Sequence, residues 1–293
     1  MRPSKLVKSA IKYSTVLAGL VFATNAQAAC DRAMLQDLAE TYIEAQKTGQ
    51  PASVPLAEGA YYGENDVPMA IADGVLSGAI TVDFTRNLLD TTQCATFTEL
   101  VAATNDHPYV IHTRMELNED GQVKVMESVV TDEDDWVFGA DAFLNYTSAE
   151  DWSEIPAPTE PANPRNPSDP RKTIKYAAEA YINNWGDPYL PVPHGTPCSR
   201  LEGRLYTGAN NPEGQTCTMG AFPQPIQTGS RRYVIDETIG AISIFHNFSW
   251  LDAGIGPYHP GSAASQLFRV ENGQNRYIHE VTSCITPKCG RGL

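Results

Sequence analysis

The 293-residue chain lacks most of the local signatures that announce a reaction. It has no Gly-x-Ser-x-Gly elbow, no phosphate-cradling glycine loop, no dinucleotide fingerprint and no His-Glu-x-x-His. Serine-hydrolase, nucleotide-dependent and common zinc-protease chemistries therefore lose support. It is poor in positive charge, with 21 Lys and Arg against 35 Asp and Glu. A surface this acidic is a poor partner for nucleic acid or an anionic membrane. Beyond the N-terminus no apolar run approaches the roughly 20 residues that a membrane-spanning helix needs. There is no Cys-x-x-Cys, and Cys284-x4-Cys289 has no second pair in register, which argues against zinc. The expectation is no metal and no cofactor.

The N-terminus has what the rest lacks. Arg2, Lys5, Lys8 and Lys12 precede a short apolar stretch, Val16 to Ala23, and Ala26-Gln27-Ala28 has the small-x-small form of a cleavage site. Residues 1–28 are expected to be an export signal. Its removal takes the net charge from −14 to −18. All six cysteines lie beyond it, and an even number in an exported chain points to disulfides.

The chain also reads as one fold written twice. Leu38 to Ala45 (LAETYIEA) recurs as Ala177 to Asn184 (AAEAYINN). Each copy then passes a Val-Pro (Val54-Pro55, Val192-Pro193), a glutamate (Glu64, Glu202), a Thr-Glu or Asp-Glu (Thr98-Glu99, Asp236-Glu237) and an Asx-Gly-Gln turn (Asp120 to Gln122, Asn272 to Gln274). Six prolines between Trp152 and Arg171 cannot sit in a helix or an inner strand, so 151–170 is expected to link a first domain, 29–150, to a second, 171–293. The duplication selects among the cysteine pairings: Cys30–Cys94 in the first copy, Cys198–Cys217 and Cys284–Cys289 in the second.

Each copy opens with an amphipathic helix. Met34, Leu35, Leu38, Tyr42 and Ile43 recur at helical spacing before Gly49-Gln50-Pro51, and Ile174, Ala177, Ala178, Tyr181 and Ile182 repeat the pattern before Gly186. The rest of each copy is expected to be strand. Hairpins should flank Asp120-Gly121 and Asn272-Gly273, and Tyr233 to Trp250 reads as one long segment bent at Gly240. Helix first, then sheet, is an α+β arrangement.

Asp90 to Leu100 (DTTQCATFTEL), Val129 to Asp132 with Asp135 to Phe138, Gly195 to Gly203 (GTPCSRLEG), Arg232 to Glu237 and Phe268 to Gly273 extend the likeness over nearly all the chain beyond the signal. In these stretches the chain resembles a group of secreted, mainly fungal proteins with two SnoaL-like, nuclear-transport-factor-2-like domains and no assigned activity. The resemblance implies a tandem duplication of a cone, a curved antiparallel sheet wrapped around helices. Single-domain relatives pair through their sheets, so the two copies are expected to form an intramolecular pseudo-dimer; homo-oligomerisation is left open.

Several residues are candidates for chemistry. His112, Arg114 and Glu116 alternate onto one strand face, where Glu116 would orient the imidazole and Arg114 hold an anion. The competing reading is a polar outer face. Asp236, His246 and His279 fall on strands of the second sheet, with Asp236 and His246 sharing parity if Gly240 does not break the alternation; a structural Asp and a surface His are the competing reading. Arg200, Glu202 and Arg204 share a face, and Glu64 is the counterpart of Glu202: an ion pair, or a clamp for a carboxylate or sugar acid. His279 aligns with Glu127. Asp132 to Asp135 is expected to be a solvated loop rather than a calcium site. Asn145-Tyr146-Thr147 and Asn247-Phe248-Ser249 are glycosylation sequons, relevant in a eukaryotic source.

The expected function is a secreted, cofactor-independent lyase, dehydratase or isomerase. It would act on a small organic molecule or carbohydrate derivative by general acid–base chemistry in a conical pocket. His112, Arg114, Glu116, Asp236 and His279 would be catalytic, and Arg200, Glu202, Glu64 and His246 would bind the substrate. The alternative is a non-catalytic secreted binding or interaction protein.

Overall fold

Asp31 starts the first helix by accepting a hydrogen bond from the Met34 amide, and Gly49, at φ +63°, ends it in the left-handed conformation. The computed structural model describes residues 30–154, 169–220, 228–248 and 261–289. The expected export signal and most of the expected linker lie outside them.

Helix α1 (Arg32–Thr48) precedes β1 (Leu56–Glu64), β2 (Val67–Pro68), β3 (Phe84–Asp90), β4 (Ala95–Ala102), β5 (Tyr109–Leu117) and β6 (Val123–Thr131), with α2 (Ala140–Thr147) behind them. Helix α3 (Pro170–Asn184) precedes β7 (His194–Glu202), β8 (Leu205–Tyr206), β9 (Thr228–Asp236), β10 (Ala241–Phe248), β11 (Ser262–Glu271) and β12 (Gln274–Thr282). The two six-stranded sheets share one topology, β2-β1-β6-β5-β4-β3 and β8-β7-β12-β11-β10-β9. The architecture is α+β, with two similar sheets each led by a helix. The sheets are mixed, not antiparallel as expected, because β1 joins β6, and β7 joins β12, in parallel. Neither sheet is closed or strongly curled. The three disulfides are those the duplication selects. Among the described residues no helix is long and apolar enough to cross a membrane.

Strand register aligns the halves residue by residue. Arg114 pairs with Glu127 as Leu267 pairs with His279, which equates Glu127 with His279. Glu64 pairs with Ser128 as Glu202 pairs with Glu280. The Val-Pro landmarks also coincide: Pro55 accepts from Val123 N–H and Pro193 from Asn275 N–H. One landmark fails. Asp236 closes β9 opposite Ala241 just as Asp90 closes β3 opposite Ala95, so Asp236-Glu237 does not correspond to Thr98-Glu99. The segment from Tyr233 is a hairpin, with Gly240, at φ +60°, in its turn.

Each sheet has two buried faces. One packs on its helix: Leu35, Leu38 and Tyr42 meet Leu100, Ile111 and Met115 in the first half, and Ile174, Ala178 and Tyr181 meet Ile242, Ile244 and Phe268 in the second. The other faces form a single apolar cluster containing Leu88, Phe97, Val110 and Val129 from the first sheet with Val234, Phe245, Leu267 and Val281 from the second. Phe97 and Phe245 meet edge to face at 6.3 Å. Burial on both sides explains why polar residues at the inter-sheet positions need partners.

Candidate functional site

Two polar groups lie inside this frame, on opposite faces of the sheets.

The first sits between the sheets. Glu99 on β4, His112 on β5 and His279 on β12 are all fully buried. His279 Nδ1 lies 2.7 Å from Glu99 Oε1, and its Nε2 lies 2.7 Å from Glu150 Oε2. Arg86 donates to Glu99 and to the Thr147 hydroxyl and carbonyl, and stacks over Trp152. Burial alone would lower the His279 pKa, but Glu150 and Glu99 overcome it and raise it to about 9. Burial alone would raise Glu99; the charges of His279 and Arg86 instead hold it well below the ordinary carboxylate range. His112 is pushed down by burial despite Glu99 Oε1 at 3.4 Å, and its Nδ1 meets Ser265 Oγ at 3.0 Å. This is a closed charge cluster that joins the halves.

The other members of the first expected set are separated from it. Glu116 does not orient His112; it binds Arg114 at 2.5 Å and Lys124 at 2.6 Å. Arg114 also reaches Glu127, which Arg232 binds from the second half. Asp236 and His246 do not share a face. Asp236 turns to the first half, where it accepts from Arg32 and from Leu89 N–H, while His246 turns to the helix side among the apolar residues of the second half. Asp135 is 7% exposed and accepts from Cys284 N–H at 2.5 Å, while Glu133 is exposed and Asp132 and Asp134 are partly so; the end of the acidic run docks on the second half and the rest meets solvent. Asn247 is buried against Asp66, leaving Asn145 as the exposed sequon asparagine.

The second group lies between α3 and the sheet of the second half. Glu280 is opposite Glu202 on the neighbouring strand and accepts from Gln266 Nε2 and Thr282 Oγ1, each at 3.0 Å. Glu202 accepts from Trp136 Nε1 at 2.6 Å and faces Arg200 Nη1 at 3.4 Å. Arg200 also reaches Tyr181 Oη and Met219 Sδ. Burial, reinforced by the Glu202 charge, pushes Glu280 up to about 8. Burial pushes His246 down to about 3, so its imidazole is neutral at pH 7. The His246 ring nitrogens, Gln266 Oε1 and Arg200 Nε make no hydrogen bond of good geometry, and Gln266 and the Asn247 backbone beside His246 only partly offset its burial. Buried polar atoms without partners are uncommon and costly, and each calls for an explanation such as a bound water, an ion or a ligand.

The first half shows what this face looks like without that group. By register Ser128 stands for Glu280, Thr113 for Gln266, Leu100 for His246 and Tyr62 for Arg200. There Tyr42 Oη, Thr113 Oγ1 and Ser128 Oγ form a closed chain of 2.8 Å hydrogen bonds. Glu64 is capped by Tyr62 Oη and Val75 N–H, at the edge of a cleft of about 410 Å3. The halves therefore share a backbone and differ in interior chemistry.

Sequence reasoning reached Arg200, Glu202 and His246 but missed Glu280, Gln266, Glu99 and Trp136. Glu280 had a signal: it shares strand parity with Ile278, which faces the helix. Among the described residues His194, Cys198 and Cys217 bring three ligand-type atoms together, but the two sulfurs are bonded to each other. Residues 167–282, which hold all of the second group except Trp136, match a family described as "Domain of unknown function (DUF8021)". No curated protein matches the chain.

Proposed function

We propose that the chain is a secreted, cofactor-independent acid–base enzyme whose site lies between α3 and the sheet of the second half, each half being a SnoaL-like domain. The observation that carries this reading is the Glu202–Glu280 pair, a half-buried carboxyl beside a buried one that is pushed up to about 8, where the first half has Glu64 and a serine. Two carboxyls in different protonation states supply an acid and a base at one pH.

Glu202, held by Trp136 and Arg200, takes a proton from carbon next to a carbonyl. Glu280, protonated, gives its proton to the departing hydroxyl, which leaves as water as the C–H and C–O bonds break and a C=C bond forms. Where no leaving group is present, proton removal and return at a second carbon is an isomerisation. Neutral His246 and the Gln266 side chain beside it suit an uncharged substrate rich in hydroxyl or carbonyl oxygens, including sugar derivatives.

The test is a screen of hydroxy-ketones, hydroxy-lactones and monosaccharides by ligand-observed NMR, followed by turnover assays of any ligand found. The expected result is turnover by the parent protein and retained binding without turnover in Glu280→Gln. Binding with no turnover in the parent, and only reduced affinity in the variant, overturns the enzyme reading in favour of a small-molecule carrier.

A further inference from the structure

The second half does not complete its own carboxyl pair. Trp136 belongs to the segment between β6 and α2 of the first half, yet it packs on the apolar cluster of the second and donates to Glu202. The whole crossing segment is tied to the second half. Trp136 N–H donates to the Thr282 carbonyl, Arg204 N–H to Val137, Lys288 N–H to Asp134, and Cys284 N–H to the Asp135 carboxylate.

The backbone is strained where it delivers the indole. Val137 has φ +40°, a conformation that a β-branched residue adopts only under constraint. Gly203, next to Glu202, has φ +53°, and a Cβ there would lie 2.3 Å from the Val137 carbonyl oxygen. Two adjacent chain segments thus accept unusual conformations at the point where the first half meets Glu202.

We propose that Trp136 is a positioning residue supplied by the first half, holding the Glu202 carboxylate against Glu280 and thereby completing the acid–base pair of the second half. This deepens the acid–base reading and rests on it for its functional meaning. Glu202 is 19% exposed at its side chain, so without an inward partner it can rotate toward water. Its other contact, Arg200, is shared with Tyr181 and Met219. A 2.6 Å indole hydrogen bond fixes one oxygen and with it the distance between the carboxyls. The groups that face Glu280 are Glu202 and Arg200 on β7, Gln266 on β11, Thr282 on its own strand and Tyr181 on α3. Glu202 is the only carboxyl among them, so its position adds to burial in setting how strongly Glu280 keeps its proton.

The test uses the full chain, with the Glu280 side-chain carboxyl followed by carbon-13 NMR across pH. Trp136 is replaced by Phe and, separately, by 3-benzothienylalanine, which keeps the bicyclic shape but has no N–H. The expected result is a Glu280 midpoint lower by roughly one pH unit in both variants, as the Glu202 charge moves away. Glu202→Gln should lower it as well, and adding Trp136→Phe to Glu202→Gln should lower it no further. An unchanged Glu280 midpoint in the benzothienyl protein, with His246 and the three disulfides intact, overturns the proposal even if Trp136→Phe fails to fold. The titration needs no substrate, so it stands or falls separately from the enzyme reading.

Discussion

Asp90 and Asp236 occupy the same position in the two halves, and each reaches into the other. Asp236 accepts from Leu89 N–H and from Arg32 at the start of α1; Asp90 accepts from Ile235 N–H and from Arg171 at the start of α3. The exchange is reciprocal about the β3–β9 contact, as a two-fold relation between two similar halves produces. Both carboxylates are buried, each satisfied by a guanidinium and by a strand amide that would otherwise lack a partner.

That geometry assigns Asp236 to holding the halves together. Asp236→Ala and Asp90→Ala should each lower unfolding stability by about 2 kcal/mol, below the full cost of breaking a buried pair because Arg32 is partly exposed. Denaturant titration measures this. Loss of turnover without loss of stability in Asp236→Ala would return the residue to the chemistry.

The cluster around His279 makes stability depend on pH on the alkaline side. The folded pKa of about 9 lies above the unfolded value of about 6.5. The folded state therefore binds more protons across that window, and stability falls as pH rises. The contribution of His279 is fully present below about 6.5 and lost on passing through 9. The span corresponds to about 3 kcal/mol. Glu99 acts in the opposite sense, its contribution being lost as pH falls below the ordinary carboxylate range. His279→Gln should remove the alkaline loss attributable to this residue, seen as the difference between the two stability profiles from pH 6.5 to 9.5. Identical profiles would mean that His279 is neutral in the fold.

Local pattern carried much of this into view. The strands on either side of Asp120-Gly121 span Tyr109–Leu117 and Val123–Thr131, and the two N-terminal helices lie where the 3.6-residue periodicity of their apolar residues puts them. What periodicity does not encode is which face of a strand meets which partner when both faces are buried. His112 and His279 read as polar-face residues open to a pocket or to water; a second sheet covers them instead. Asp236 and His246 shared apparent parity only while the turn at Gly240 was read as a bend. Glu99 was visible as one half of a landmark, but its partners Arg86, His112 and His279 come from β3, β5 and β12, and no spacing rule links them. Trp136 followed an acidic run that looked like a loop, and its role depends on a contact with Glu202, 66 positions away.

The comparison of the halves gives a prediction of opposite sign to most core substitutions. His246 stands where the first half has Leu100, and its buried ring makes no hydrogen bond of good geometry, with only Gln266 and the Asn247 backbone beside it. Glu280 stands where the first half has Ser128, and it keeps a proton to about pH 8 that the unfolded chain releases near pH 4.5. The folded state binds the extra proton between those values, so this residue costs stability increasingly as pH rises from 4.5 to 8. His246 works the other way, its cost growing as pH falls from 6.5 toward 3. If these residues are kept for function, removing their chemistry should stabilise the fold. His246→Leu and Glu280→Gln should each raise unfolding stability at pH 7 by about 1–3 kcal/mol, from the relief of unpaired or displaced polar groups. Ser128→Ala in the first half serves as the contrast and should lower it, because Ser128 completes a closed hydrogen-bond chain with Thr113 and Tyr42. Thermal and denaturant unfolding of the three variants decides the matter. Destabilisation by all three would make the second group structural like the first, and the search for a substrate would then have to begin elsewhere on the molecule.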